Sequence, residues 1–154
     1  MRMSFASQTP EIQPARSFRS IAVLGSTQWT ESLRYEGDDP WKTPRAYADA
    51  FRAKNPKYRD IPYQVAESSA AVIAFWRAIE KANSLDPTKV RDALATLDLM
   101  TFFGQVKFDP RGINIYKPMA VEQLQPDGRK YTVWPASVAE KDALYPMVPW
   151  DSRK

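Results

Sequence analysis

Phe102-Phe103-Gly104-Gln105-Val106-Lys107-Phe108-Asp109-Pro110-Arg111-Gly112 is the stretch in which the chain changes its period. Upstream of it, apolar residues recur every three or four positions, as on one face of a helix. Within it, Gln105-Val106-Lys107-Phe108 alternates polar and apolar, as on a strand with one buried side. Asp109-Pro110-Arg111-Gly112 then supplies the residues of a tight turn. The pattern thus passes from period 3.6 to period 2, helices giving way to strands.

Working back from that point, Asp86-Pro87 starts a short helix over 87–96, with an acidic cap, a proline in the first turn and Val90, Leu94 and Leu97 on the buried face. Before it, the residues from Gln64 to Ala82 read as a long core helix. Val65, Val72, Phe75, Trp76 and Ile79 form its apolar stripe, while Arg77, Glu80 and Lys81 face away. Ser68, Ser69, Ala70 and Ala71 near its start are small enough for a backbone or a ligand to approach. Thr43-Pro44 opens a further helix over 44–54, with Tyr47 and Phe51 on one face, and Asn55-Pro56 stops it. Ser20-Ile21-Ala22-Val23-Leu24-Gly25 reads as a buried strand. Ser26-Thr27-Gln28-Trp29 follows at its C-terminal end, where open α/β sheets present ligand groups.

Working forward, Met119 to Gln125 alternates, Asp127-Gly128 makes a hairpin turn, and Tyr131-Thr132-Val133-Trp134 alternates in return, so the two runs are expected to pair antiparallel. The organisation is thus a polar, disordered tail over 1–20, an α/β region over 21–135 and an extended, proline-spaced aromatic tail over 136–154.

Composition narrows the function classes. The chain has 154 residues, 44 % hydrophobic and 26 % charged, enough for one ordinary core. It contains no cysteine and no histidine. That removes the thiolate nucleophile, the imidazole base, the usual zinc ligands and any disulfide framework, and no cofactor is expected. The net charge of +4 is spread among alternating signs. This is the pattern of a solvated surface rather than of a nucleic-acid interface. No stretch has the length and apolarity of a membrane span, and residues 1–20 hold no apolar run of the kind an export signal needs.

Several ordered segments carry a resemblance. They are Val23-Leu24-Gly25-Ser26-Thr27-Gln28-Trp29, the helix from Tyr47 to Phe51, and the run from Ala78 through Asn83-Ser84-Leu85-Asp86-Pro87 to Leu94. Phe103 to Gly112, Lys117-Pro118-Met119 with Gln123, and Val133-Trp134-Pro135 follow in order. Together they resemble the C-terminal part of the type I periplasmic binding proteins, leucine-binding-protein-like, that serve branched-chain amino acid and amide ABC transporters. The resemblance covers about residues 21–154. It implies a periplasmic-binding-protein type I-like fold, here partial: the second half of lobe one, the hinge strands and the last strands of lobe two. It also implies a substrate-binding protein, not an enzyme. Such a protein holds a small-molecule ligand, an amino acid or amide, between two lobes, works with ABC transporter permease subunits, and is periplasmic when intact.

In several members of that family an aromatic residue near the start of the long helix lines the cleft, and Ser69 stands at the matching position. A hydroxyl there gives up an apolar wall for a polar contact. The expected ligand-binding residues are Trp29 for stacking area and Glu67, Ser68 and Ser69 for polar contacts. Two other classes compete. A cytoplasmic ligand sensor on the same fold fits a chain with no export signal. A hydrolase working with carboxylates alone would draw its pair from Glu31, Glu36, Asp38 and Asp39, which crowd into one turn with nothing to separate their environments.

Overall fold

The computed structural model describes residues 21–147 and 149. The tail expected over 1–20 lies outside the described residues, as do Val148 and Trp150 to Lys154 of the expected C-terminal tail. The elements run β1 Leu24–Thr27, α1 Pro44–Lys54, α2 Tyr63–Ala82, α3 Pro87–Ala95, β2 Asp98–Thr101, β3 Gly104–Lys107, β4 Ala120–Leu124 and β5 Lys130–Trp134.

Two helices begin where local chemistry says they should. Thr43 Oγ accepts from Ala46 N at 3.2 Å with Pro44 in the first turn of α1. Asp86 Oδ1 accepts from Thr88 N at 3.1 Å and Lys89 N at 3.0 Å at the start of α3. Each side-chain oxygen satisfies N–H groups that the helix itself cannot. The start of α2 is different: Pro62 occupies the cap position without a side-chain bond, and the helix ends on Asn83 in the left-handed conformation at φ 45°, which asparagine tolerates.

The buried side of α2 is not the one expected. Ala66, Ala70, Ile73, Ala74 and Ala78 face inward, while Val72, Phe75 and Trp76 are 69 %, 56 % and 45 % exposed. Small side chains let α2 lie close against its neighbours, and the face that packs closest is buried. The large apolar stripe is left on the opposite side.

The expected buried strand at 20–25 is also displaced. The strand runs over Leu24–Thr27, and Val23 and Leu24 are 52 % and 57 % exposed. It is an edge strand, in the order β1-β4-β5, and only Ala22 and Thr27 of the segment turn fully inward. β1 pairs antiparallel with β4, Thr27 opposite Ala120 and Leu24 opposite Gln123. β4 and β5 pair antiparallel as the alternation predicts, with a register irregularity between Val121 and Glu122. Gly128, at φ 74°, completes the Asp127-Gly128 turn.

A second, two-stranded sheet joins β2 to β3, with Leu99 opposite Val106 and Thr101 opposite Gly104. The turn between them carries Phe102 and Phe103, both buried in the main core with Trp29, Tyr47, Ala70, Ile73 and Leu99. The body formed by the helices and this hairpin is therefore inserted between β1 and β4 of the first sheet. Two connectors cross, residues 28–43 and 108–119. A triangle of hydroxyls fastens the first one: Thr30 and Ser32 lie 2.7 Å apart, and Thr132 on β5 is 3.0 Å and 2.8 Å from them. Beyond β5, the buried Gln123 accepts from Leu144 N at 2.7 Å and Gln125 donates to Asp142 O at 3.2 Å, which holds residues 142–144 along the sheet.

Candidate ligand-binding site

An aromatic stack forms the base of the region. The Tyr47 ring lies on Phe102 with centroids 4.0 Å apart and planes at 14°, and Trp29 and Trp41 meet Tyr47 edge-on at 5.6 Å and 5.0 Å. Burial raises the Tyr47 hydroxyl above the usual tyrosine range. That hydroxyl is 3.0 Å from Ser69 Oγ and donates to Val65 O at 3.2 Å, and Ser69 Oγ also lies 3.2 Å from Val65 O. Ser69 is thus half-buried and oriented from behind. Ser68 is exposed and donates to Gln64 O at 2.8 Å, and Glu67 is exposed beside it.

Glu67, Ser68 and Ser69 are accordingly neighbours near the N-terminal end of α2, a rigid element. Trp29 is not on that edge. Its ring is 3 % exposed, and its Nε1 donates to Phe102 O at 3.2 Å. The stacking area expected of Trp29 is taken up by Tyr47 and Phe102, because a strand end that turns into the core carries its indole there. It reaches Ser69 only through Tyr47.

Three of the four carboxylates weighed for hydrolysis are engaged in bonds within the fold, and Glu36 is exposed. Glu31 accepts from Arg52 at 2.7 Å and 2.9 Å and from Arg45 at 3.0 Å. The Arg52 bond holds its carboxyl below the usual range. Asp39 is buried: its Oδ1 accepts from Trp41 N at 2.9 Å and Lys42 N at 3.0 Å, and its Oδ2 from Phe102 N at 2.6 Å. Asp38 is exposed and pairs with Arg77 at 3.3 Å. Among the described residues no group of three or more acidic side chains is placed to hold a metal ion.

Lys117 was not singled out by the sequence beyond its place in Lys117-Pro118-Met119. Its Nζ sits 3.7 Å above the Phe103 ring and donates to Gln28 O. Desolvation brings its pKa down to about 8, with the Glu67 charge acting the other way. A lysine before a proline in a connector has no periodic or motif signal; only the meeting of Gln28, Phe103 and Glu67 in space reveals it. Nearby, Leu33, Tyr35, Met119, Trp134 and Val138 line a shallow, mostly apolar cleft of about 210 Å³.

With this geometry the chain matches a family described as periplasmic binding protein domain, over residues 24–149. The chain belongs to that family. One curated relative, the leucine-, isoleucine-, valine-, threonine-, and alanine-binding protein of Pseudomonas aeruginosa, is 41 % identical over 68 residues, 44 % of this chain and 18 % of that protein. A crystal structure from Silicibacter pomeroyi, assigned to a branched-chain amino acid ABC transporter, superposes with a TM-score of 0.57 at 19 % identity, covering 85 % of this chain and 36 % of that one. That likeness shows the periplasmic-binding-protein type I-like fold, in part. The chain spans well under half the length of either relative. Among the described residues no helix is long and apolar enough to cross a membrane.

Proposed function

We propose that this chain acts as part of the solute-binding component of an ABC transporter. It contributes one wall of a cleft between lobes, in which a small amino acid, amide or related organic solute is held without being chemically changed, and the loaded protein engages permease subunits in the periplasm. The observation that carries this reading is family membership over almost the whole described chain; the P. aeruginosa relative, named for its amino acid ligands, supports the ligand class. The local chemistry agrees. Glu67, Ser68 and Ser69 offer a carboxylate and two hydroxyls on a rigid helix, and Ser69, held by Tyr47, presents a polar contact with a fixed direction. Trp29 contributes from behind, by setting the position of Tyr47.

The test is a thermal-shift series with the protein against aliphatic amino acids, small amides, urea and aromatic acids. A ligand that binds only the folded state raises the melting point in a saturable way. We expect such a shift with at least one amino acid or amide, weakened roughly three- to tenfold in affinity by Ser69→Ala. A well-folded protein that responds to no member of the panel would overturn the reading.

A further inference from the structure

Lys117 lies on the second connector, three residues before β4. Its stem passes Gly104 so closely that a Cβ there would come within 3.2 Å of the Lys117 Cε. The ammonium has three donor protons. Gln28 O receives one, and the Phe103 ring lies against another side at 3.7 Å. None of the ion pairs among the described residues includes Lys117. Lysines withdrawn from water are ordinarily paired with a carboxylate. One that is half-buried, held by Gln28 and Phe103 and outside all of those ion pairs keeps donor capacity for a ligand. Glu67 on α2 influences it electrostatically without forming an ion pair.

We infer that Lys117 is the acid-recognising residue of the ligand site: its remaining ammonium protons receive a carboxylate of the bound solute, with Phe103 beneath and Glu67 at the flank. This rests on the solute-binding reading and narrows it to solutes that carry a carboxylate. Two segments cooperate with the connector in it. The backbone at Gln28, where the chain leaves β1, fixes the ammonium; the β2–β3 turn supplies the ring beneath; Gly104 leaves room for the stem. The incoming carboxylate therefore meets a donor already aimed, which spares the entropy of ordering a free lysine. The same pairing offsets the desolvation that now weakens the Lys117 charge, so binding raises the affinity of Lys117 for its proton. A neutral amide in place of the acid forfeits the charge-assisted bond.

The experiment uses the 154-residue chain with its lysines carrying ¹³C-methyl groups, and Lys117 assigned by comparison with Lys117→Gln. Leucine and leucinamide are titrated separately while the lysine signals and the melting point are followed. We expect leucine to move the Lys117 signal and raise its pKa by about one unit, with leucinamide leaving it in place. Lys117→Gln is expected to reduce a roughly tenfold or larger preference for leucine over leucinamide to near parity, and Lys117→Arg to keep part of it. If leucine raises the melting point while the Lys117 signal stays still, or Lys117→Gln keeps the preference, the Lys117 inference fails and solute binding stands. If neither compound nor any other member of the panel shifts a folded chain, both fail. An equal response from exposed Lys54 and Lys57 would signal a general salt effect and likewise sink the assignment.

Discussion

Asp39 joins two segments that are far apart in the chain, since its three bonds reach Trp41 and Lys42 on its own loop and Phe102 in the β2–β3 turn. Asp39→Ala leaves the buried Phe102 N–H, and the Trp41 and Lys42 N–H groups of the loop, without this partner. It is expected to cost about 2–4 kcal/mol in urea unfolding, with Asp39→Asn milder because one carbonyl oxygen remains. Gly37 works at the same junction by lacking a side chain: a Cβ there would lie 2.6 Å from the Thr101 backbone, so Gly37→Ala is expected to lower the melting point by separating the loop from β2. Lys117 gives the pH dependence a sign. Its folded pKa of about 8 lies below the ordinary 10.5, so between those values the unfolded chain holds a proton that the folded chain has released. Stability then rises with pH across that window. Lys117→Met removes the rise and adds about 1 kcal/mol below pH 8, a figure reduced for the solvent that still reaches the ammonium. Urea unfolding of both proteins at pH 7 and pH 10 reads the difference.

At the level of elements, α2 is apolar on two opposite sides. The alanine face lies in the core, and Val72, Phe75 and Trp76 face outward. A helix apolar all round is normally covered all round. The uncovered stripe is expected to drive concentration-dependent self-association in sedimentation velocity, and Phe75→Glu with Trp76→Glu to abolish it without loss of stability, since neither ring belongs to the core. The same helix shows what a single sequence discloses. Its existence and approximate length are legible from the period, and the starts of α1 and α3 are legible because a capping oxygen and a proline act within a few residues. Which of the two stripes turns inward is not legible, because that depends on which neighbour can approach closest. β2 escaped notice for a related reason: over only Asp98–Thr101, two adjacent apolar residues show no alternation.

For the molecule as a whole, the order of the elements other than β2 and the family were readable from ordered segments, and the polar end of α2 from small residues next to one another in sequence. Lys117 was not, because Gln28, Phe103 and Lys117 become neighbours only after the connectors cross. The insertion of the helical body between β1 and β4 has a further consequence, for the order of events in folding. Thr27 finds Ala120 only after the whole body has closed between them. Drawing together the ends of a loop that long costs roughly 4 kcal/mol of chain entropy while the body is still unfolded. Helices and the β2–β3 hairpin need only short loops, so they form early, and the body's own collapse then brings Gln28 and Lys117 within reach. The pairing of β1 with the β4–β5 hairpin is the last to assemble, and on the return path it opens with the least loss of core. Amide hydrogen exchange is expected to record this as a slower-protected class: Ala22 and Leu124, bonded across the β1–β4 seam, exchange ahead of Ala70 and Ile73 inside α2 and gain protection later during refolding.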